Sequence, residues 1–181
     1  MSNQSQEFQH LEEEDGLCSM EFDGSIGKYG PNICLWIHSP FQQKNKIPNN
    51  VRLCSYKLAF HCTNNEAEYE ALITGLKILK KLGARRIALY GDSELLIKQI
   101  KGEFQANNPR MMQYMNATLD ILRMFSEYTL KVVPRLKNLM ADSLATATSN
   151  FRSTMFSNKK IDIHIRHRPA IPYNLKFWKV F

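Results

Sequence analysis

The sequence predicts an α/β fold in which helices flank a five-stranded mixed β-sheet. Three segments with strand patterns follow one another early in the chain and are separated by turn residues, which is typical of an antiparallel meander. Farther along, amphipathic helices alternate with short apolar strands, and this alternation adds parallel strands to the meander. The chain has 181 residues, of which 44% are hydrophobic, so it can bury the core of one ordinary domain.

Each predicted element rests on its own sequence pattern. The first helix opens with Thr63 and Glu66 in capping-box spacing and stops at Gly83. In the third helix, the apolar stripe from Met112 to Phe125 is expected to face the core. Strands are predicted at residues 18–22, 33–38, 51–62, 86–90 and 130–133, and helices at residues 63–82, 94–101, 108–128 and 138–148.

Composition divides the chain into three predicted parts. Residues 1–16 contain five acidic residues and no Lys or Arg, which indicates a disordered acidic leader. Residues 17–150 form the predicted domain. Residues 151–181 are predicted to be a basic linker and tail, in which residues 161–165 alternate like a strand and residues 166–181 fit a connector.

The charge distribution narrows the class of partner. The chain has 24 Lys and Arg against 17 acidic residues. Five of the acids lie in the leader, so the rest of the chain has 24 basic and 12 acidic residues and a net charge of +12. Such a charge favours a polyanionic partner such as nucleic acid. A basic soluble protein without such a partner is the alternative.

The cysteines and the apolar runs bear on the compartment. Cys18, Cys34, Cys54 and Cys62 show no Cys-x-x-Cys spacing, so buried thiols in a reducing compartment are expected rather than disulfides or a zinc site. No apolar run approaches the ~20 residues that span a bilayer, and the acidic N-terminus argues against a secretory signal. We expect a monomer in the cytoplasm or nucleus, with no membrane partner and no small-molecule cofactor.

Glu68 is the first candidate site residue. It shares one helical face with Leu72, Gly75, Leu76 and Leu79, a stripe on which an ionised carboxylate is unfavourable unless something pairs with it. Either Glu68 lies at the rim of the stripe and is solvated, or it faces other carboxylates across a metal ion.

Three further acids lie at the junctions or on the helices of the predicted fold. Asp23 is expected to end the first strand, Asp92 ends the fourth strand, and Asp142 lies on the last helix among small and apolar neighbours. The topology would bring these carboxylates and Glu68 together at one end of the sheet. They could stay ionised there only around divalent cations, and all-oxygen ligation suits Mg²⁺ or Mn²⁺. Two such ions fit in-line displacement at phosphorus.

The segments around the four acids resemble the sequence blocks of the type 1 ribonuclease H family, in the same order. These blocks are Asp23-Gly24-Ser25, residues 63–69, Gly91-Asp92-Ser93 and residues 138–145. The resemblance is closer to the ribonuclease H domain of plant gypsy-type retrotransposon polyproteins and their plant host relatives. In that lineage it extends to residues 134–135 and to the ending at 168–181.

The resemblance implies an activity and a set of residues. The activity would be hydrolysis of the RNA strand of RNA–DNA hybrids, dependent on two Mg²⁺ or Mn²⁺ ions. By position, the catalytic and metal-binding residues would be Asp23, Glu68, Asp92 and Asp142. The residues that contact nucleic acid would be Gly24, Ser25, Asn64, Asn65, Ser93 and Arg135. The two asparagines also suit entry into a helix, and both roles are compatible.

The chain departs from the family pattern near the site. The segment before Asp142 carries Arg135 but no His, whereas many family members have a mobile His there. Glu94 stands where many relatives have a Gln that contacts nucleic acid, and its charge would repel a phosphate backbone. The turn at residues 28–32 is also poorer in glycine. Two alternatives to a nuclease follow: a catalytically weak or inactive nucleic-acid-binding module, and a connector without activity of its own.

Overall fold

The computed structural model describes residues 16–40, 51–134 and 161–172, and within these ranges the chain forms a six-stranded sheet and three helices. The strands are β1 (Leu17–Gly27), β2 (Gly30–His38), β3 (Val51–Leu58), β4 (Arg86–Gly91), β5 (Glu127–Val132) and β6 (Ile161–Arg166). The helices are α1 (Asn64–Lys81), α2 (Glu94–Ile100) and α3 (Pro109–Leu122).

The strand order across the sheet is β5-β4-β1-β2-β3-β6. β1, β2 and β3 form an antiparallel meander, β4 pairs in parallel with β1, and β5 pairs in parallel with β4. The predicted mixed sheet with flanking helices is therefore confirmed. The strand count is one higher than the five expected, and the additional strand is β6.

β1 runs past the point at which the sequence predicts its end. Asp23 pairs with Cys34 of β2, and the pairing continues to the end of both strands, where a two-residue turn joins them. The expectation that Asp23 ends the strand is wrong, because β2 provides hydrogen-bonding partners for the backbone beyond it. Asp23 consequently lies inside a paired strand rather than at its frayed end.

α3 and β5 meet at a different place from the predicted one. The pattern predicts a helix to residue 128, but α3 ends at Leu122 and β5 begins at Glu127. Phe125 packs into the core between the two elements, and β5 pairs with β4 from its first residue. Pairing with an existing strand therefore overrides the local helical pattern here.

β6 comes from the segment that the sequence assigns to the tail. It pairs in parallel with β3, from Ile161 opposite Leu53 to Arg166 opposite Leu58. Without β6, this side of β3 would present unpaired N–H and C=O groups at the edge of the meander. Residues 161–166 are thus part of the sheet, which confirms the strand pattern at residues 161–165. The domain boundaries stay a prediction, because residues 1–15, 135–160 and 173–181 lie outside the described residues.

α1 packs on β1 and β2 and forms the centre of the core. Thr63 caps its first turn, Glu66 completes the capping box, and the helix gives way to Gly83 at a φ of +80°, as the sequence predicts. The predicted stripe from Leu72 to Leu79 is buried against the sheet. Glu68 lies on the same face as this stripe, near the start of the helix.

Two further expectations concern the membrane and the thiols. No helix in the described ranges combines the length and apolar character that a membrane crossing requires. None of the four cysteines, all of which lie in the described ranges, forms a disulfide, and Cys18, Cys34 and Cys54 are buried as predicted.

Candidate metal centre

Three elements bring three carboxylates together at one end of the sheet. Asp23 lies in β1, Glu68 lies near the start of α1, and Asp92 directly follows β4. β1 and β4 are parallel neighbours whose last paired residues, Glu21 and Tyr90, each precede one of the acids by two positions. One oxygen of each carboxylate lies within 4.8 Å of one oxygen of each of the others. Within the described part of the chain, this is the one such group of potential metal ligands.

Gly24 allows β1 and α1 to come this close. A Cβ atom at this position would lie 2.1 Å from the carbonyl oxygen of Ala67 and 2.4 Å from the backbone nitrogen of Glu68. The Gly24 N–H donates a hydrogen bond to Oε2 of Glu68 over 3.3 Å. The missing side chain therefore lets the strand backbone bind and orient the Glu68 carboxylate.

Glu68 is buried, with 9% of its surface exposed, so the interpretation that it is solvated at the rim is wrong. Burial raises the pKa of Glu68 well above its usual value, and the negative charges of Asp23 and Asp92 raise it further. The hydrogen bond from Gly24 acts in the opposite direction but is a smaller effect. The arrangement thus holds mutually repelling carboxylates in a place where a cation would relieve the repulsion.

Asp92 is held between β4 and the start of α2. Ser93 is the N-cap of α2, and its hydroxyl accepts a hydrogen bond from the N–H of Leu96 over 3.3 Å. The side chain predicted to contact nucleic acid therefore has a capping role in this structure. This cap fixes where the helix begins, and with it the backbone of the neighbouring Asp92.

A buried hydrogen bond links α1, which contains Glu68, to α2, which follows Asp92. The Tyr69 hydroxyl donates to Oε1 of Gln99 over 3.0 Å, and both side chains are buried. Tyr69 adjoins Glu68 on α1, while Gln99 lies on α2, which begins two residues after Asp92. This pair could not be predicted from the sequence, because a hydrogen bond between residues 30 positions apart leaves no local pattern.

The other predicted nucleic-acid contacts surround the start of α1. Oδ1 of Asn64 accepts a hydrogen bond from the N–H of Ile26 over 3.2 Å, so Asn64 ties the β1–β2 hairpin to α1. Asn65 is exposed. The Ser25 hydroxyl donates to Oδ1 of Asn32 over 3.3 Å. Thr63 rather than either asparagine caps α1, and contact of the asparagines with nucleic acid stays a prediction.

Glu94, the departure noted in the sequence, has a cationic partner. Nζ of Lys98 lies 2.6 Å from Oε1 of Glu94 on the exposed face of α2. This hydrogen bond and the positive charge of Lys98 lower the pKa of Glu94. The pair presents less negative charge to a passing polyanion than Glu94 alone would.

Asp142 and Arg135, the remaining predicted site residues, lie outside the described residues, and their roles stay predictions.

Glu70 is a buried carboxylate that no local sequence pattern indicates. Its Oε1 accepts hydrogen bonds from the Tyr114 hydroxyl and the Ala170 N–H, each over 2.7 Å. Nη1 of Arg166 lies 3.0 Å from its Oε2. Because Glu68 and Glu70 are two residues apart on a helix, their side chains lie on opposite faces of α1. Its partners lie 44 to 100 positions away, so no nearby residue signals its burial.

Known proteins resemble this chain in sequence. A family model described as reverse transcriptase-like matches residues 48–148. The ribonuclease HI of Halobacterium salinarum is 39% identical over 83 residues, which make up 46% of this chain and 42% of that protein. This chain therefore spans less than half of the length of that relative.

Two solved structures share the fold. The RNase H1 of Halobacterium salinarum matches with a TM-score of 0.63 and 28% identity, over 73% of this chain and 96% of that one. LC11-RNase H1 in complex with an RNA/DNA hybrid matches with a TM-score of 0.56 and 24% identity, over 71% of this chain and 94% of that one. The second likeness concerns the fold alone.

Proposed function

We propose that this chain, which belongs to the reverse transcriptase-like family and has the ribonuclease H fold, is a metal-dependent nuclease that hydrolyses the RNA strand of RNA–DNA hybrids. The observation that carries the proposal is the convergence of Asp23, Glu68 and Asp92, whose oxygens lie within 4.8 Å of one another. The resemblance to a ribonuclease HI supports the class of reaction.

The three carboxylates suit one or two divalent cations. Burial and the two neighbouring charges raise the pKa of Glu68, so its ionised form is unfavourable in the protein alone and a cation would stabilise it. An all-carboxylate set favours Mg²⁺ or Mn²⁺ over softer metals. Bound there, two such ions would supply an activated water and stabilise the leaving oxygen of a phosphodiester. We include Asp142 as a fourth ligand on the strength of its sequence block.

The protein itself supplies position and charge. Two neighbouring strands fix Asp23 and Asp92, and the Gly24 N–H fixes one oxygen of Glu68. A site assembled from paired strands and a packed helix loses little freedom when the substrate binds. We assign contact with the hybrid to Gly24, Ser25, Asn64, Asn65, Ser93 and Arg135. A net charge of +12 outside the leader attracts the phosphates of the hybrid.

A cleavage assay tests this function. Wild-type protein, Asp92→Asn and the control Asp120→Asn are incubated with Mg²⁺ and a hybrid labelled on either strand. Asp120 is exposed, and its ion pair among the described residues is with the exposed Arg123. Its replacement by Asn should therefore leave the cleavage rate unchanged. We expect cleavage of the RNA strand by the wild type and the control. Wild-type cleavage no faster than that of Asp92→Asn would refute the proposal.

A second candidate is a nucleic-acid-binding module without catalysis. The net charge of +12 outside the leader favours binding, while Glu94 and the absence of a His before Asp142 count against catalysis. It requires hybrid binding that persists in EDTA and weakens with salt, in a protein that does not cleave. Failure to bind a hybrid at low salt would remove this candidate.

The origin and setting of the protein form a separate proposal. The sequence blocks and the ending at residues 168–181 favour descent from the ribonuclease H domain of a plant gypsy-type retrotransposon. Reverse transcriptase and integrase remnants on either side of the gene would support this descent, and their absence would count against it. We also propose a monomer in the cytoplasm or nucleus. Sedimentation at a mass well above 21.0 kDa, or fractionation with membranes, would contradict it.

A further inference from the structure

We propose that residues 161–172 form a C-terminal clasp that positions the start of α1 through Glu70. The clasp consists of β6 and the segment that follows it. It lies beyond residues 48–148, the part of the chain that matches the family model. None of its residues belongs to the candidate metal centre, so its action on the centre is indirect.

Glu70 is the main anchor of the clasp on α1. This carboxylate is fully buried, and two of the three polar groups that contact it within the described residues come from the clasp: the Ala170 N–H at 2.7 Å and Nη1 of Arg166 at 3.0 Å. The third contact is the Tyr114 hydroxyl of α3. A buried carboxylate is stable only while such donors surround it. Among the described residues, the clasp therefore provides one hydrogen bond and the cationic partner of this carboxylate.

Arg110, near the start of α3, is a second anchor. Its guanidinium donates to the carbonyl oxygens of Ile171 over 2.6 Å and Pro172 over 3.0 Å. Nε of the same side chain lies 3.4 Å from Oε1 of Glu66 on α1. Ile171 itself is buried in the core. The segment after β6 is thus fastened to both α1 and α3.

Arg166 connects the sheet edge to α1. Its carbonyl oxygen accepts a hydrogen bond from the N–H of Ala59 over 2.7 Å, just after β3. Its guanidinium reaches Glu70 and also donates to Oγ1 of Thr74, one helical turn farther along. Arg110 and Arg166 therefore contact α1 at three positions spaced by four residues. These positions are Glu66, Glu70 and Thr74, which share one face of the helix.

The opposite face of α1, at Glu68, packs against the sheet. Glu68 points away from the clasp and accepts the Gly24 N–H of β1. If the clasp separates, the Tyr114 hydroxyl is the one polar contact that Glu70 keeps within the described part of the chain, and its burial becomes unfavourable. Rotation of α1 that returns Glu70 to water also turns Glu68, because both lie on one rigid helix. Glu70 is therefore a positioning residue for Glu68.

Hydrogen exchange in the full-length chain tests this coupling without relying on the proposed function. The variants are Arg166→Met, which leaves Glu70 short of its cation, and Glu70→Gln, which keeps the shape and the acceptor. The control is Arg86→Met, since Arg86 forms an exposed ion pair with Glu127 over 2.8 Å. NMR follows the Gly24 amide, which reports the contact with Glu68, relative to the Leu35 amide in the centre of β2.

We expect exchange at Gly24 to rise about tenfold or more over that at Leu35 in Arg166→Met, less in Glu70→Gln, and within about twofold in the control. Equal ratios in the wild type and in both clasp variants would overturn the proposal, even if the variants melt earlier, because that is what a purely structural role predicts. If Arg166→Met does not fold, Glu70→Gln alone decides between these outcomes.

A kinetic measurement separates the clasp from the proposed function, on which this second readout rests. Well below the melting temperature, the clasp variants should lose kcat on a hybrid with little change in KM. Wild-type protein that cleaves while both variants keep the wild-type kcat would overturn the coupling alone. Wild-type protein that does not cleave, with the exchange effect intact, would refute the nuclease alone.

Discussion

Replacement of Gly24 by Ala tests whether the close approach of β1 to α1 sets the geometry of the carboxylates. The new Cβ atom would lie 2.1 Å from the carbonyl oxygen of Ala67, whereas ordinary contacts begin near 3.4 Å. The strand and the helix must therefore separate by about 1 Å, because both atoms belong to packed backbone. Overpacking of this kind destabilises a protein by about 1–3 kcal/mol. A shift of about 1 Å at a catalytic group reduces the rate by roughly 10²-fold.

The assay compares hybrid cleavage and the free energy of unfolding in Gly24→Ala and Gly83→Ala. Gly83 has a φ of +80° and open space around it, so its replacement strains the end of α1 without moving Glu68. We expect both variants to lose about 1 kcal/mol or more of stability. Only Gly24→Ala should also lose most of its cleavage. Wild-type cleavage by Gly24→Ala would refute the reasoning, and so would an equal loss in both variants.

Three further predictions concern single side chains. Burial and the neighbouring carboxylates raise the pKa of Glu68, so in EDTA its contribution to stability is complete below the ordinary value of 4.5 and is lost as the pH rises through the folded value. The melting temperature of Glu68→Gln should therefore rise relative to that of the wild type as the pH increases above 4.5, and a constant difference would contradict this. Tyr69→Phe leaves the buried Gln99 without its donor and should lower the free energy of unfolding by about 1–3 kcal/mol in urea titrations; no measurable loss would show that the bond is dispensable. Lys98→Gln leaves Glu94 unpaired and should raise the Kd for a hybrid several-fold at low salt in Ca²⁺; an unchanged Kd would mean that this face of α2 does not meet the substrate.

The parts of the site that could be predicted from the sequence depend on short-range signals. Thr63 and Glu66 lie three positions apart and fix the start of α1, which places Glu68. Asp92 follows a short apolar strand and precedes a helix. The predicted pairing of the first strand with the fourth is then sufficient to place Asp23 beside these residues. The wrong prediction of the end of β1 does not affect the predicted site, because the register between β1 and β4 sets the position of Asp23.

The clasp could not be predicted, because its evidence is long-range. The alternation at residues 161–165 indicates a strand but not its partner, which lies about a hundred positions earlier in β3. Glu70 follows the same rule: its burial depends on Ala170 and Arg166, and no residue near it in sequence signals their approach.

Which face of α3 points towards the core could not be predicted from the sequence either. The periodicity fits a buried stripe that includes Met112, but in the structure Met112 is half exposed, at 47%, while Met111 and Tyr114 are buried. Both stripes satisfy a helical period, so hydrophobicity cannot choose between them. The hydrogen bond from Tyr114 to Glu70 favours the observed rotation.

Binding of Mn²⁺ to the protein without nucleic acid, followed by electron paramagnetic resonance, tests the central claim most directly. The carboxylates of Asp23, Glu68 and Asp92 should bind Mn²⁺ saturably. Glu68→Gln should weaken this binding by about tenfold or more, while Asp120→Asn should leave it unchanged. Indistinguishable titrations of the wild type and Glu68→Gln would contradict the assignment of this cluster as a metal centre.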